Sequence, residues 1–223
     1  MKPNIKKILG EDYINLEKAK EPKVTLAQLE AIKANNQVLI YIPAISAKEV
    51  YEKTGNKLLD GKLLYDIDWY KDEVFFSEKA KAGWYIVGKE LIPETRNKTY
   101  AEQDEILTRL GSGRLSVAEI CYFVWAYSST EKRVLSDWEY HWSSSRSSGG
   151  NLVSFGRADA EGAYLAGWEP DDASVNLGVV LSRSLDNLNL EIGTFENELT
   201  DELTKVGTVY KSPQGHLIIK LEI

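Results

Sequence analysis

The residues that could do covalent or acid–base chemistry are few. The chain holds two histidines, His141 and His216, and one cysteine, Cys121. A run of serines at 143–148 follows His141 closely. A serine nucleophile needs a base within reach and a third group to orient that base. No Gly-x-Ser-x-Gly elbow surrounds these serines, and two residues do not make a triad. The serines therefore read as turn, cap and hydrogen-bonding residues, and the chain reads as not an enzyme. Zinc-protease, phosphate-loop and dinucleotide motifs are absent. Asp159, Glu161, Asp171 and Asp172 are oxygen donors of the kind calcium prefers, but their spacing does not match an EF-hand loop. They read as solvated loop acids; no metal and no cofactor are expected. Cys121, inside the apolar run ICYFVW at 120–125, reads as a buried small hydrophobe. A single cysteine allows no intrachain disulfide and suits a reducing compartment.

What the chain offers instead is recognition chemistry. Residues 138–183 set Trp138, Tyr140, His141, Trp142, Tyr164 and Trp168 among serines, glycines and small polar residues. Stiff aromatics give wide contact area for little rotamer entropy, and Ser, Gly and Asn adapt around them, as in antibody loops. Trp168, in the loop-like AGWEPDD, is expected to face solvent. Trp138 and Trp142 divide evenly between surface and core, whereas Tyr122, Phe123 and Trp125 belong to an apolar helix and are expected inside.

The elements that must position these residues are legible in part. Thr25 followed by LAQLEAIKAN, with Gln28 three residues on, predicts a capped helix. The run QVLIYI at 37–42, stopped by Pro43, predicts a strand, and 46–55 a second helix between Ser46 and Gly55. Residues 57–61 read as a turn. Residues 63–92 read as alternating strands, the clearest at 83–93. Helices are expected at 99–110 and 115–127. The latter is capped by Ser116 and Glu119 and is apolar nearly all round, the mark of a central packed helix. Strands are expected at 152–155, 177–182, 188–194, 206–211 and 216–222, with a hairpin turn at 213–215. Residues 1–60 read as a leader or small subdomain, 61–184 as the main domain, and 185–223 as strands completing or extending it.

With 223 residues the chain can bury a sizeable core. A net charge of -7 argues against sequence-independent nucleic-acid binding. No run is long enough to span a membrane and the N-terminus has no secretory signal pattern. Localisation is left open between virion-associated and cytoplasmic.

The segments LSVAEICYFVW at 115–125, WSSSRSSGGNLVSFGRADAEGAYL at 142–165 and LGVVLSR at 177–183 resemble the ligand-binding domain of variable proteins from diversity-generating retroelements of viruses and microbes, over residues 63–184. The resemblance implies an α+β, C-type-lectin-like fold: two helices, small twisted antiparallel sheets and a loop-rich binding face. It implies a protein that displays exchangeable residues on a fixed frame. The frame positions it implies are Gly150, Val153, Gly156, Asp159, Gly162, Gly178, Val179 and Arg183. The exchangeable, ligand-binding positions are Tyr140, Trp142, Arg146, Asn151, Ser154, Arg157, Tyr164, Ala166, Trp168 and Glu169. Alternation such as Val153 inward and Ser154 outward would put the exchangeable set on one strand face. The expected partner is a protein or cell-surface ligand, with no nucleic acid and no membrane insertion; oligomeric state is left open. Calcium lectins of the same fold class use a Glu-Pro-Asn or Gln-Pro-Asp tripeptide. Glu-Pro-Asp stands at 169–171, without the companion Trp-Asn-Asp, so a calcium-dependent carbohydrate binder is the alternative reading. The formylglycine-generating enzymes of that fold look for a cysteine pair, which this chain lacks.

Overall fold

The structure is a computed structural model and describes residues 3–59, 61–131, 140–159, 161–185, 207–211 and 217–221. It is an α+β protein that divides into two units, residues 1–185 and 186–223.

In the first unit, α1 (Ile5–Leu9), β1 (Tyr13–Ile14), α2 (Leu26–Ala34), β2 (Gln37–Ile42) and α3 (Ala47–Thr54) come first. A minimal hairpin follows, β3 (Lys57–Leu58) and β4 (Gly61–Lys62), then a short α4 (Val74–Ser77) and the long β5 (Gly83–Leu91). Two helices, α5 (Tyr100–Arg109) and α6 (Val117–Glu131), lead to β6 (Tyr140–Arg146), β7 (Leu152–Asp159), β8 (Gly162–Trp168), β9 (Leu177–Gly178) and β10 (Val180–Ser184). Among its described residues the second unit contains an antiparallel pair, β11 (Gly207–Lys211) and β12 (Leu217–Leu221).

The helix starts follow from local chemistry. Thr25, Ser46 and Thr99 each accept a bond from the amide three residues on, and Gln28, Glu49 and Glu102 answer to the cap amide. Ser116 and Glu119 do the same for α6. Each reciprocal pair satisfies amides that a helix start leaves without intrahelical partners. At the far end of α5, the Arg183 guanidinium donates to the Leu110 and Gly111 carbonyls at 2.6 and 3.1 Å, a cation where the helix dipole is negative.

Two sheets close on α6. The first has the order β1-β2-β5-β10 and the second β8-β7-β6-β9. The leader is thus built into the first sheet, since β2 pairs antiparallel with β5 along its whole length. One apolar cluster runs from Val38, Ile40 and Val87 of the first sheet through Ile120, Phe123 and Val124 of α6 to Val153, Phe155 and Leu165 of the second. Cys121 is buried in it, and burial pushes its thiol pKa up. Residues 63–82 depart from the alternating strands expected there. They hold bends and α4, with Tyr70, Phe75 and Phe76 turned into the core, so the apolar density reflects a packed connection. The strand expected at 188–194 and the turn at 213–215 lie outside the described residues, as do Trp138 and His216.

The Leu63–Tyr65 segment and β8 approach closely at Gly162. Ala163 donates its amide to the Leu63 carbonyl at 3.1 Å, and Tyr65 donates its own to the Ala163 carbonyl at 3.0 Å. Gly162 has φ +120°, and a Cβ there would lie 2.3 Å from the Leu64 carbonyl carbon. Only glycine tolerates both the torsion and the contact. Gly150 also has a positive φ, +85°, but faces open space. Gly162→Ala is therefore expected to cost about 3 kcal/mol or more of unfolding free energy, against about 1 for Gly150→Ala; equal losses in urea titrations would refute the steric reading.

Candidate functional site: an aromatic face on the second sheet

The register of β6, β7 and β8 builds the site. Cross-strand partners form three rungs: Tyr140–Gly156–Tyr164, Trp142–Ser154–Ala166 and Arg146–Leu152–Trp168. Side chains alternate across a strand, so these residues share one sheet face. The intervening Val153, Phe155, Ala163 and Leu165 face the main core. Most of the exchangeable positions expected from sequence are thereby gathered on the face turned away from α6.

The face is only partly open. Trp142 is 0 % exposed, in a second apolar cluster with Leu107 of α5, Leu152, Leu177 and Val179. Tyr100 of α5 stands edge-on to its indole at 5.4 Å. Ser154, expected to point outward to solvent, is also 0 % exposed. It does lie on the outer face, but Trp168 covers it, donating its indole N–H to Ser154 Oγ at 2.8 Å. The Tyr140 ring meets the Trp168 ring at 5.7 Å, across the small residues Gly156, Ser154 and Ala166. Two expectations are thus corrected: Trp142 and Ser154 form the floor of the face and cannot touch a ligand directly. Aromatic residues roof any gap that burial of apolar area rewards.

What remains accessible is Tyr164, 37 % exposed, with Tyr140, Ala166 and Trp168 half-buried and Arg146, Asn151 and Glu169 exposed at the rim. The side chain of Arg157 lies outside the described residues. Tyr65, missed from sequence, extends the face: its ring lies 4.4 Å from that of Tyr164. The dense run LLYDIDWY at 63–70 was the available signal, masked by the strand reading.

The frame under this face is firmly tied. Arg114, its side chain 4 % exposed, donates to Asp104 Oδ1, Gln103 Oε1 and the Tyr100 carbonyl at 2.8, 2.9 and 2.8 Å and stacks on the Tyr100 ring at 3.7 Å. Thr95 Oγ1 accepts from the Val179 amide at 3.0 Å, and a Cβ on Gly178 would crowd that oxygen. The 169–176 loop is pinned through Tyr100 N–H to the Pro170 carbonyl and Asn97 N–H to the Ser174 carbonyl. The serine run is structural. Ser143 Oγ donates to the Val153 carbonyl, Ser145 Oγ accepts from the first amide of α6, and Ser148 is held by Glu73 through its amide and hydroxyl.

His141 is likewise structural. It is completely buried, and its Nδ1 accepts from the Val180 amide at 3.0 Å, tying β6 to β10. Burial, with the Arg114 charge adding to it, pushes its pKa from 6.5 down to about 3. The ring is neutral at neutral pH and shielded from any substrate.

Among the described residues no group of three His, Cys, Asp or Glu side chains could hold a metal ion, and no helix is long and apolar enough to cross a membrane. No family model, no curated protein and no solved structure matches this chain.

Two outcomes follow. The unfolded chain takes up a proton on His141 below pH 6.5 that the folded chain refuses until about 3, so this group removes stability as pH falls through that window. The loss is at most about 1.4 kcal/mol per pH unit. His141→Asn, whose Oδ1 takes the place of Nδ1 and can still accept from Val180 without titrating, is expected to flatten stability between pH 7 and 4.5; an unchanged slope in urea unfolding would dismiss the assignment. Trp142→Ala is expected to cost about 3–5 kcal/mol and Tyr164→Ala about 1 or less, and comparable losses would mean that the face has no floor.

Proposed function

We propose that this chain is a non-catalytic binding protein that displays exchangeable side chains on a C-type-lectin-like frame, as variable proteins of diversity-generating retroelements do. The observation that carries the reading is the three-rung register, which collects Tyr140, Arg146, Tyr164, Ala166 and Trp168 on one face while the alternate residues anchor the core. The order of elements supports the frame: β5 and β10 pair antiparallel, two helices follow β5, and β6, β7 and β8 form a meander before β10 closes it. Three of the frame positions have structural roles: a Cβ at Gly162 would collide with the Leu64 backbone, Val179 is buried in the second apolar cluster, and the Arg183 guanidinium donates to the Leu110 and Gly111 carbonyls. The ligand is a protein or other surface ligand, met by aromatic contact area rather than by a charged pocket.

No observation favours the calcium-dependent alternative. The Asp172 carboxylate accepts from the Glu169 amide at 2.8 Å, and Glu169 and Asp171 are exposed, with no third donor converging on them among the described residues.

The test is tolerance. A library randomised at Tyr140, Arg146, Tyr164 and Ala166 should keep most members folded, with single exchanges costing about 0.5 kcal/mol, whereas the same library at Val153, Phe155 and Leu165 should fold rarely. In the gene, codon differences from a neighbouring near-copy should fall within residues 138–176. Equal intolerance at both sets, or differences scattered elsewhere, would end the reading.

A further inference from the structure

The turn between β6 and β7 has the composition of a loose loop. Its sequence, RSSGGN at 146–151, offers no apolar side chain to bury, and Arg146, Ser148, Gly149, Gly150 and Asn151 are all exposed. Adjacent glycines add backbone freedom that an ordered turn must give up. The Gly150 amide donates to the Ser147 carbonyl, and the Ser147 amide to the Asn151 carbonyl, each at 2.9 Å. A turn bond from the fourth residue to the first leaves the amide of the second, here Ser148, without a partner inside the turn.

Glu73 supplies that partner from a distant part of the chain. Its Oε2 accepts from the Ser148 amide at 2.7 Å, and its Oε1 accepts from the Ser148 hydroxyl at 2.9 Å. A carboxylate that grips through both oxygens fixes the direction of the turn as well as its place. The grip has a firm base. The Glu73 amide donates to the Tyr70 carbonyl at 3.1 Å, and Glu73 leads directly into α4, whose Phe75 and Phe76 are buried in the main core. Glu73 stands at the start of α4, yet its carboxylate turns to Ser148 instead of capping that helix.

The ordered turn then places Arg146. The Arg146 Nη1 donates to the Gly150 carbonyl at 3.0 Å, and the guanidinium carbon lies 6.0 Å from the centre of the Tyr100 ring. Arg146 shares its rung with Leu152 and Trp168. A line of contacts thus runs from the core through Glu73, Ser148 and Gly150 to an exchangeable position on the display face.

We propose that Glu73 is a positioning residue for that face: its hold on Ser148 sets the shape of the 147–150 turn, and with it the place of the side chain at 146. This deepens the display reading and rests on it for its purpose. The bond to Gly150 belongs to arginine, but the backbone direction at 146 is passed to any residue that stands there. Ser148 is then a fixed residue between two exchangeable ones, Arg146 and Asn151, and its partner lies far outside the exchangeable stretch.

The first measurement needs no ligand. In Glu73→Ala, hydrogen exchange at the Ser148 amide is expected to speed up about tenfold, while the Leu165 amide keeps its protection. The order parameter of the Arg146 Nε–H should fall in the same variant, and the melting temperature should stay within about 3 °C. Glu73→Gln, which can still accept from the Ser148 amide, should restore most of the protection. For binding, the probe is a synthetic single-domain antibody library panned on the full chain and sorted into binders weakened by Arg146→Ala and binders weakened by Tyr164→Ala. Glu73→Ala should weaken the first group about tenfold and the second less than about twofold. Three results overturn the proposal: unchanged Ser148 exchange in Glu73→Ala, Arg146-dependent binders indifferent to that change, or equal weakening of both groups, which would mean general damage. None of these touches the tolerance of the face to exchange, so the proposal can fall while the display reading stands. Codon differences scattered outside 138–176 would end the display reading and leave the exchange result at Ser148 as it is.

Discussion

The constraint on which the first unit rests is that α6 is buried on nearly every side from Val117 to Tyr127. Its residues Val117, Ala118, Ile120, Cys121, Tyr122, Phe123 and Val124 are all essentially buried. A helix apolar all round must be covered on every side, and no single sheet or helix can do that. Two sheets and α3 therefore close on it, and the chain before β5 is recruited to complete the cover. The leader is part of the same core for this reason, although nothing in its own composition announces the partner.

Once the inner face of the β8-β7-β6-β9 sheet is committed to α6, its outer face becomes the free variable. That face is not simply left bare. Its centre is small, with Gly156, Ser154 and Ala166, and its corners are large. The corner rings lean inward, and α5, clamped by Arg114, covers the Trp142 end. The result is a graded surface: a sealed floor, half-buried rings and an exposed rim. Trp168 has two roles in this arrangement, since it faces solvent in part and also shields Ser154. Substitution at position 168 alters both the exposed surface and the cover of the strand beneath.

Much of this was legible in the sequence where the cause is local. The reciprocal caps at Thr25, Ser46, Thr99 and Ser116 lie within three residues of their partners, so the helix starts could be read directly. The strand period put Ser154, Tyr164, Ala166 and Trp168 on a common face. What could not be read depends on distant chain. Trp142 is buried because Tyr100 and Leu107 arrive from α5, and Ser154 because Trp168 reaches across the sheet. Residues 63–82 looked like strands because buried loop aromatics such as Tyr70 and Phe75 give the same apolar density as a sheet. The Leu63–Tyr65 bridge to Ala163 leaves no periodic trace in the sequence, and only the glycine at 162 betrays the close approach.

The solitary thiol of Cys121 has a practical corollary. It sits at the centre of the helix that both sheets enclose, sealed from solvent on every side. An alkylating reagent can reach it only when that enclosure opens, so the speed of its modification reports how often the molecule breathes apart. The first unit thus carries its own clock of core opening, read without any added dye or engineered label.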